Sequence, residues 1–315
     1  MKITTAKKIQ SILGEKLLTH WAKSHNGFTL SHQKVFINVG NVVTGHELSV
    51  VNLDTVGAKE LSQCITASYS ERVTARASTN FESDRAIRLG NDFMEHLALA
   101  LKPTAKEARA IRSYSDKVLV TNDGYTTKVA GTDSFYLFEG QDESPSQPFT
   151  FVLEEKVARV LIALFGNKTP TLAYLSYDNT TLQLVNGDIT IDCRTSQVKY
   201  PKYETVIPSS EKNKYSDFFR HIPAFKIPKD SLAVLVQDGI EFKSAKPSLQ
   251  TSLGKLYFET NFVEFPKTIV QPKYLSWARE FASSWSQKDS DSPILCTSKD
   301  NRKRAVMVPI QERSA

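Results

Sequence analysis

Along residues 149–208, apolar and polar positions alternate first with one period and then with another. The changes of period mark out a strand, a helix and a run of further strands. Val157, Val160, Leu161 and Leu164 stand at i, i+3, i+4 and i+7, so a helix gathers them into one stripe and leaves Lys156 and Arg159 off it. Gly166, tolerant of positive φ, stops that helix. Leu172, Tyr174, Leu182, Leu184, Ile189 and Ile191 then alternate with polar neighbours, the pattern of half-buried strands, with Asp178-Asn179 and Asn186-Gly187 as their turns.

The same reading extends in both directions. Residues 4–18 predict a helix capped by Thr4 or Thr5, with Ile9, Ile12, Leu13 and Leu17 on its apolar face and Lys7, Lys8 and Lys16 toward solvent. Short β-rich stretches follow at 28–30, 35–39, 42–44 and 48–53, then a short helix over 58–67 and a strand over 73–77. A helix over 91–101 has Asn91 or Asp92 as its cap, Phe93, Met94, Leu97, Ala98 and Leu101 as its apolar face, and Pro103 closing it. Lys106, Arg109 and Arg112 recur every three residues and share one face of any helical turn. Residues 117–129 predict a hairpin turning at Asn122-Asp123-Gly124, followed by a strand over 135–138 and a loop over 140–148.

Beyond Pro208 the chain is charged and interrupted by Pro223 and Pro228, which places a domain boundary near Ser209 and a short strand over 232–236. Residues 262–271 predict a strand and 272–285 a helix. Pro272 suits its first position, Tyr274, Ala278, Phe281 and Trp285 form the buried stripe, and Lys273 and Arg279 lie elsewhere. A last hairpin turns at Lys299-Asp300-Asn301. Its final run, Val306 to Ile310, carries Pro309, which has no N–H for a ladder, so this strand is expected at a sheet edge. Strand, helix and hairpin thus recur, with a looser copy running from Ile87 through the helix of Phe93 to the strand of Phe135. The fold class this predicts is α+β, built of repeated β-α-β units with helices on one face of antiparallel sheets.

Composition narrows the function classes. A chain of 315 residues with 40% hydrophobic content can bury a sizeable core, and its length favours two or three domains. No apolar run of eighteen residues occurs, and the N-terminus lacks the apolar core of a secretion signal, so a cytoplasmic location is expected. The three cysteines, Cys64, Cys193 and Cys296, are far apart and read as reduced core thiols. A net charge of +6 tilts the partner toward polyanions without identifying nucleic acid. There is no phosphate-cradling glycine loop, G-x-S-x-G, H-E-x-x-H or C-x-x-C, and hence no catalytic residue or cofactor to name. His20, His25, His32 and His46 cluster in sequence, but their spacings fit neither one helical face nor a ligand pattern, so no metal site is expected. Lys299, Arg302, Lys303 and Arg304 read as a charged turn that keeps an edge soluble.

Three segments together resemble the bacterial β-type sliding clamp, the processivity factor of the replicative polymerase. KYPKYETVIP, residues 199–208, resembles the F-P-x-Y-x-x-V-x-P segment that closes the clamp's middle domain. AVMVPI, residues 305–310, is similar to the terminal V-V-M-P-M strand, and TNDGYTTKV, residues 121–129, to the T-D-G-H-R-L-A-V hairpin. They occur in the family's order, and the resemblance covers Arg85 to the C-terminus. Tyr125, Thr126 and Thr127 stand where the family has His-Arg-Leu.

The resemblance implies the DNA-clamp fold, with a short or atypical first domain over 1–84, a middle domain over 85–209 and a C-terminal domain over 210–315. It implies a non-enzymatic ring, a head-to-tail homodimer of bacterial, phage or mobile-element origin, whose helices line a channel for double-stranded DNA. The DNA-binding side chains would be Lys7, Lys8, Arg109, Arg112, Lys156, Arg159, Lys273 and Arg279. A hydrophobic cleft between the middle and C-terminal domains would take peptides of a DNA polymerase and a clamp loader through Gly124, Tyr125, Thr127, Val306, Val308, Pro309 and Ile310. Two rivals stand beside it: a clamp-fold nucleic-acid-binding or adaptor protein that does not close into a ring, and a metal-dependent hydrolase using the early histidines.

Overall fold

The computed structural model describes residues 3–13, 18–22, 27–31, 35–39, 49–50, 85–104, 112–186, 189–208, 214–215, 218–222, 224–236, 239–245, 252–257 and 267–311. In chain order it begins with helix α1 (Ile3–Leu13) and strands β1 (Leu18–Ala22), β2 (Gly27–Ser31), β3 (Val35–Val39), β4 (Ser49–Val50) and β5 (Arg85–Ile87). Helix α2 (Phe93–Ala100) leads to β6 (Lys117–Asn122), β7 (Thr126–Thr132), β8 (Tyr136–Glu143) and β9 (Phe149–Glu154). Helix α3 (Glu155–Phe165) leads to β10 (Leu172–Leu175), β11 (Thr181–Asn186), β12 (Ile189–Arg194) and β13 (Lys214–Tyr215). The short helix α4 (Phe218–His221) precedes β14 (Ser231–Val236), β15 (Gly239–Ser244), β16 (Ser252–Tyr257) and β17 (Thr268–Val270). Helix α5 (Pro272–Ala278) and strands β18 (Ser284–Ser286), β19 (Ile294–Thr297) and β20 (Lys303–Met307) complete the chain.

These elements form two compact units. Unit 1 is Met1–Leu101, Lys117–Val129 and Asp142–Lys199; unit 2 is Lys102–Asp116, Ala130–Gln141 and Tyr200–Ala315. In unit 1 one antiparallel sheet runs in the order β4-β1-β2-β3-β12-β11-β10-β5. β6 also pairs antiparallel with β9, from Lys117 opposite Glu154 to Asn122 opposite Phe149. Helix α3 forms because its apolar residues share one stripe: Val157, Val160 and Leu161 are fully buried and Arg159 is exposed. Gly166 ends it at φ +59°, and its N–H bonds back to Ile162 O at 2.9 Å. α1 packs on α3 and buries Ile9 and Leu13.

In unit 2 the order β13-β18-β19-β20-β8 makes one antiparallel sheet and β16-β15-β14-β17 another. α5 opens with Pro272 at its first position, where the missing N–H has no helical partner in any case, and buries Tyr274, Leu275 and Ala278. The last segment of the unit starts at Tyr200, whose ring lies 5.8 Å from Tyr114 and 6.4 Å from Tyr203. Tyr203 is buried at the head of a single 3-10 turn, Tyr203–Val206. Burial and then the Glu139 carboxylate push its hydroxyl pKa well up.

The sequence pattern and the fold differ at several places: α1 begins at Ile3, so Thr4 and Thr5 lie inside it rather than capping it, and Leu18 opens β1 rather than closing the helix. The stripe that predicts a helix over 272–285 is cut at Ala278: Trp285 sits instead in β18, fully buried, with its ring 5.2 Å from Phe218 and 6.2 Å from Phe219. Burying so large a ring contributes ~1.5–3 kcal/mol wherever it goes in, and here a strand with buried Ser284 and Ser286 provides the site. Residues 140–143 continue β8 rather than forming a loop. β20 is a central strand with β19 and β8 on either side, and it keeps its ladder because it ends at Met307, before Pro309.

The expected helix over 58–67 and the strands over 42–44 and 73–77 lie outside the described residues, as do His25, His32, His46, Cys64, Lys106 and Arg109. His20 stands in β1. Cys193 and Cys296 are buried thiols whose pKa burial raises. Among the described residues no helix is long and apolar enough to cross a membrane.

Candidate nucleic-acid and peptide interfaces

On unit 1 the predicted cations stand on α1 and α3. Lys7 is in α1, and Lys8 beside it is exposed. Arg159 is exposed and donates from Nε to Glu155 Oε1 at 2.8 Å, one helical turn back. That contact engages the guanidinium through Nε, one of its five N–H donors. Lys156 is half-buried, and its Nζ donates to Leu13 O at 3.1 Å.

On unit 2, exposed Arg112 donates from Nη1 to the Tyr114 hydroxyl at 3.0 Å. Partial burial pushes that hydroxyl's pKa up, but hydrogen bonds with Ser134 and Arg112 outweigh it, and the net shift is downward. Arg279 is exposed and donates from Nε to Ile222 O at 2.7 Å. Lys273 Nζ lies 3.7 Å from Asp133 Oδ2, and 4.9 and 5.6 Å from the ring centres of Tyr274 and Trp277, within cation–π range. Arg159 and Lys273 pair with carboxylates that are themselves buried, Glu155 and Asp133, while their own side chains stay partly exposed, a state in which they still contribute to an anion-attracting field.

The turn between β6 and β7 holds Gly124 and Tyr125, and Thr127 follows in β7. Gly124 adopts φ +112°, a region L side chains rarely enter. Its N–H donates to Asn122 Oδ1 at 2.7 Å. Asp123 Oδ1 accepts the N–H groups of Tyr125 and Thr126 at 3.0 and 2.9 Å, and these two bonds, Thr126's first, lower the pKa of its carboxyl. The segment 144–146 braces the turn from outside: Ser144 N–H donates to Tyr125 O at 2.7 Å and Ser146 N–H to Gly124 O at 3.2 Å. Tyr125 is thereby pushed 77% into solvent on a rigid base. Thr127 is buried and accepts from Asn122 Nδ2 at 2.9 Å, which makes it a brace of the turn.

Along the C-terminal run of unit 2, Val306 and Pro309 are buried, Ile310 is half-buried and Val308 is exposed. Val308 N–H donates to Phe135 O at 2.9 Å and Ile310 N–H to Ile269 O at 2.8 Å. Phe135, 62% exposed beside Val308, is a surface aromatic that stands just before β8 rather than in the strand expected over 135–138. The T-D-S-F-Y turn signal was there to find it.

One cluster carries no sequence signal. Asp92, His96 and Asp142 bring ligand-type atoms within 4.8 Å of one another. Asp142 Oδ2 accepts the Asp92 N–H at 2.9 Å and lies 3.6 Å from His96 Nδ1. It packs so closely that a Cβ on Gly90 would come within 2.2 Å of Asp142 Cβ. This is a carboxylate supplied from β8 to the positive end of α2, where a negative charge is favoured.

No protein-family model matches the sequence, and no curated protein matches it either. Solved structures do. The DNA polymerase III beta subunit of Thermotoga maritima superposes with a TM-score of 0.70 at 15% identity, covering 99% of this chain and 96% of that one. A Helicobacter pylori beta clamp bound to a DNA ligase peptide gives 0.67 at 14% identity over 98% and 97%. The Pseudomonas aeruginosa DNA polymerase sliding clamp, solved with a ligand, gives 0.64 at 14% identity over 99% of each chain. At nearly full length in both directions, and with its antiparallel sheets and few helices, the chain has the fold of the DNA polymerase III beta sliding clamps.

Proposed function

We propose that this protein is a sliding clamp: a non-enzymatic, cytoplasmic processivity factor that encircles duplex DNA and holds a DNA polymerase on it. The observation that carries the reading is the likeness to sliding clamps over nearly the whole of both chains, which spans the region of residues 1–84 as well as the motif-bearing remainder. In this reading the clamp domains are 1–84, 85–209 and 210–315. Lys7, Lys8, Arg109, Arg112, Arg159, Lys273 and Arg279 supply a sequence-independent phosphate attraction. Gly124 and Tyr125 of unit 1 and Val308 and Ile310 of unit 2 serve peptides of the polymerase and its loader, while Thr127, Val306 and Pro309, which are buried, brace those segments.

Ring closure calls for a second copy, placed head to tail. What supports this is β16, the end strand of its sheet among the described residues, with most of its side chains exposed, Leu253 and Tyr257 among them. An end strand can serve as a template for another chain. Light scattering on the purified protein tests it. Twice the chain mass is expected, falling to the monomer mass in Leu253→Glu/Tyr257→Glu, whose side chains lie outside the core. A wild-type monomer at every concentration reached contradicts the self-assembled ring.

A further inference from the structure

Lys156 stands on α3 among the cations expected to face DNA, yet its Nζ is engaged at 3.1 Å by the carbonyl of Leu13, 143 residues away at the end of α1. Carbonyls in the last turn of a helix have no partner within it, and they form the negative end of its dipole. α1 has no basic residue of its own in that turn. Lys156, in the first turn of α3, is moreover on the wrong side of its own helix's dipole, where a cation is disfavoured. Both oddities resolve together if the ammonium belongs to the end of α1. The two helices are already in contact there, with Ile9 and Leu13 of α1 and Val157, Ala158 and Leu161 of α3 all buried.

We infer that Lys156 is a positioning residue: it caps α1 from α3, fixes that helix's rotation so that Lys8 faces outward, and acts on DNA through Lys8 rather than by touching a phosphate itself. The DNA half of this statement rests on the clamp reading above; the capping half does not.

Two measurements on Lys156→Met, Lys8→Met and the double variant decide it. In the free protein, amide exchange along α1 is expected to speed up at least tenfold in Lys156→Met and to stay unchanged in Lys8→Met, with Lys156→Arg, which keeps a long donor, restoring protection. Unchanged protection in Lys156→Met overturns the cap. In duplex-DNA binding, each phosphate contact contributes about 0.9 to the slope of log affinity against log salt. Each single variant is expected to lose one such step and the double variant no more than one. Two separate steps, or none for Lys156→Met, overturn the positioning role. If Lys156→Met does not fold, Lys156→Gln, whose amide is shorter than the lysine it replaces, carries the same two arms. Salt-independent binding of the wild type to linear duplex would overturn the DNA half of the proposal, leaving the exchange result to decide the cap and retention on circular DNA to decide the clamp reading.

Discussion

In the 122–126 turn of unit 1, Asp123 Oδ1 accepts the N–H groups of Tyr125 and Thr126 at 3.0 and 2.9 Å. In the 132–136 turn of unit 2, Asp133 Oδ1 accepts those of Phe135 and Tyr136 at 3.0 and 2.8 Å. The residue after each aspartate has positive φ, +112° at Gly124 and +83° at Ser134, and the residue after that is an exposed aromatic. The local device is the same; its surroundings are not. Asp123 is exposed, whereas Asp133 is buried, with its second oxygen accepting the Tyr274 hydroxyl at 2.8 Å and lying 3.7 Å from Lys273 Nζ. One aspartate builds a turn, and the other also ties that turn to α5. Local sequence therefore dictates the shape of both turns, and burial decides how much each aspartate matters to stability.

The largest effect expected is on that tie. Asp133→Ala leaves the Tyr274 hydroxyl and two N–H groups without their acceptor and is expected to cost ~2–3 kcal/mol in denaturant unfolding. Asp123→Ala, where water replaces the lost acceptor, is expected to cost no more than about 1 kcal/mol. Equal costs would break the comparison. Next comes the positive-φ position: Gly124→Ala is expected to destabilise by ~1–2 kcal/mol, while Ser134→Gly exchanges strain relief for unfolded-state freedom and stays within about 1 kcal/mol of wild type.

The two presented aromatics sharpen the functional side. Tyr125→Ala and Phe135→Ala are both expected to leave the unfolding midpoint unchanged. A loader- or polymerase-derived peptide is expected to bind Tyr125→Ala about tenfold more weakly, the loss of a modest anchor. Unaltered binding would remove Tyr125 from the interface.

The smallest effect is a pH dependence. The N–H bonds to Asp123 lower its carboxyl below the ordinary 3.8, so their contribution is complete above that value and is lost as pH falls through the lowered one. Exchange of the Thr126 amide should accelerate in that window in wild type and be flat in Asp123→Asn.

Features set by near neighbours in the chain were legible in advance. The stripe of α3, the β6–β7 hairpin and the positive-φ turn at Asn301 all follow from residues a few positions apart. Fold and local pattern diverge where a distant partner decides. Tyr274, Ala278, Phe281 and Trp285 keep helical spacing, yet Phe218 and Phe219 hold Trp285 in a strand. Pro309 suggested an edge, yet β8 covers β20 from a part of the chain more than 160 residues earlier by the pairing of Arg304 with Glu139. The candidate site divides in the same way. The turn that presents Tyr125 is spelled out in N-D-G-Y-T, but neither the carboxylate that Asp142 lends to α2 nor the reach of Lys156 to Leu13 has any counterpart in local pattern.

The most direct test of the clamp reading is retention on closed circular duplex DNA, with a loader supplied, before and after the circle is cut once. Protein is expected to stay on the intact circle in salt that abolishes ordinary phosphate binding, and to run off once ends are made. Equal, salt-sensitive release from circle and linear DNA would contradict a topological ring and leave an electrostatic binder with the clamp fold.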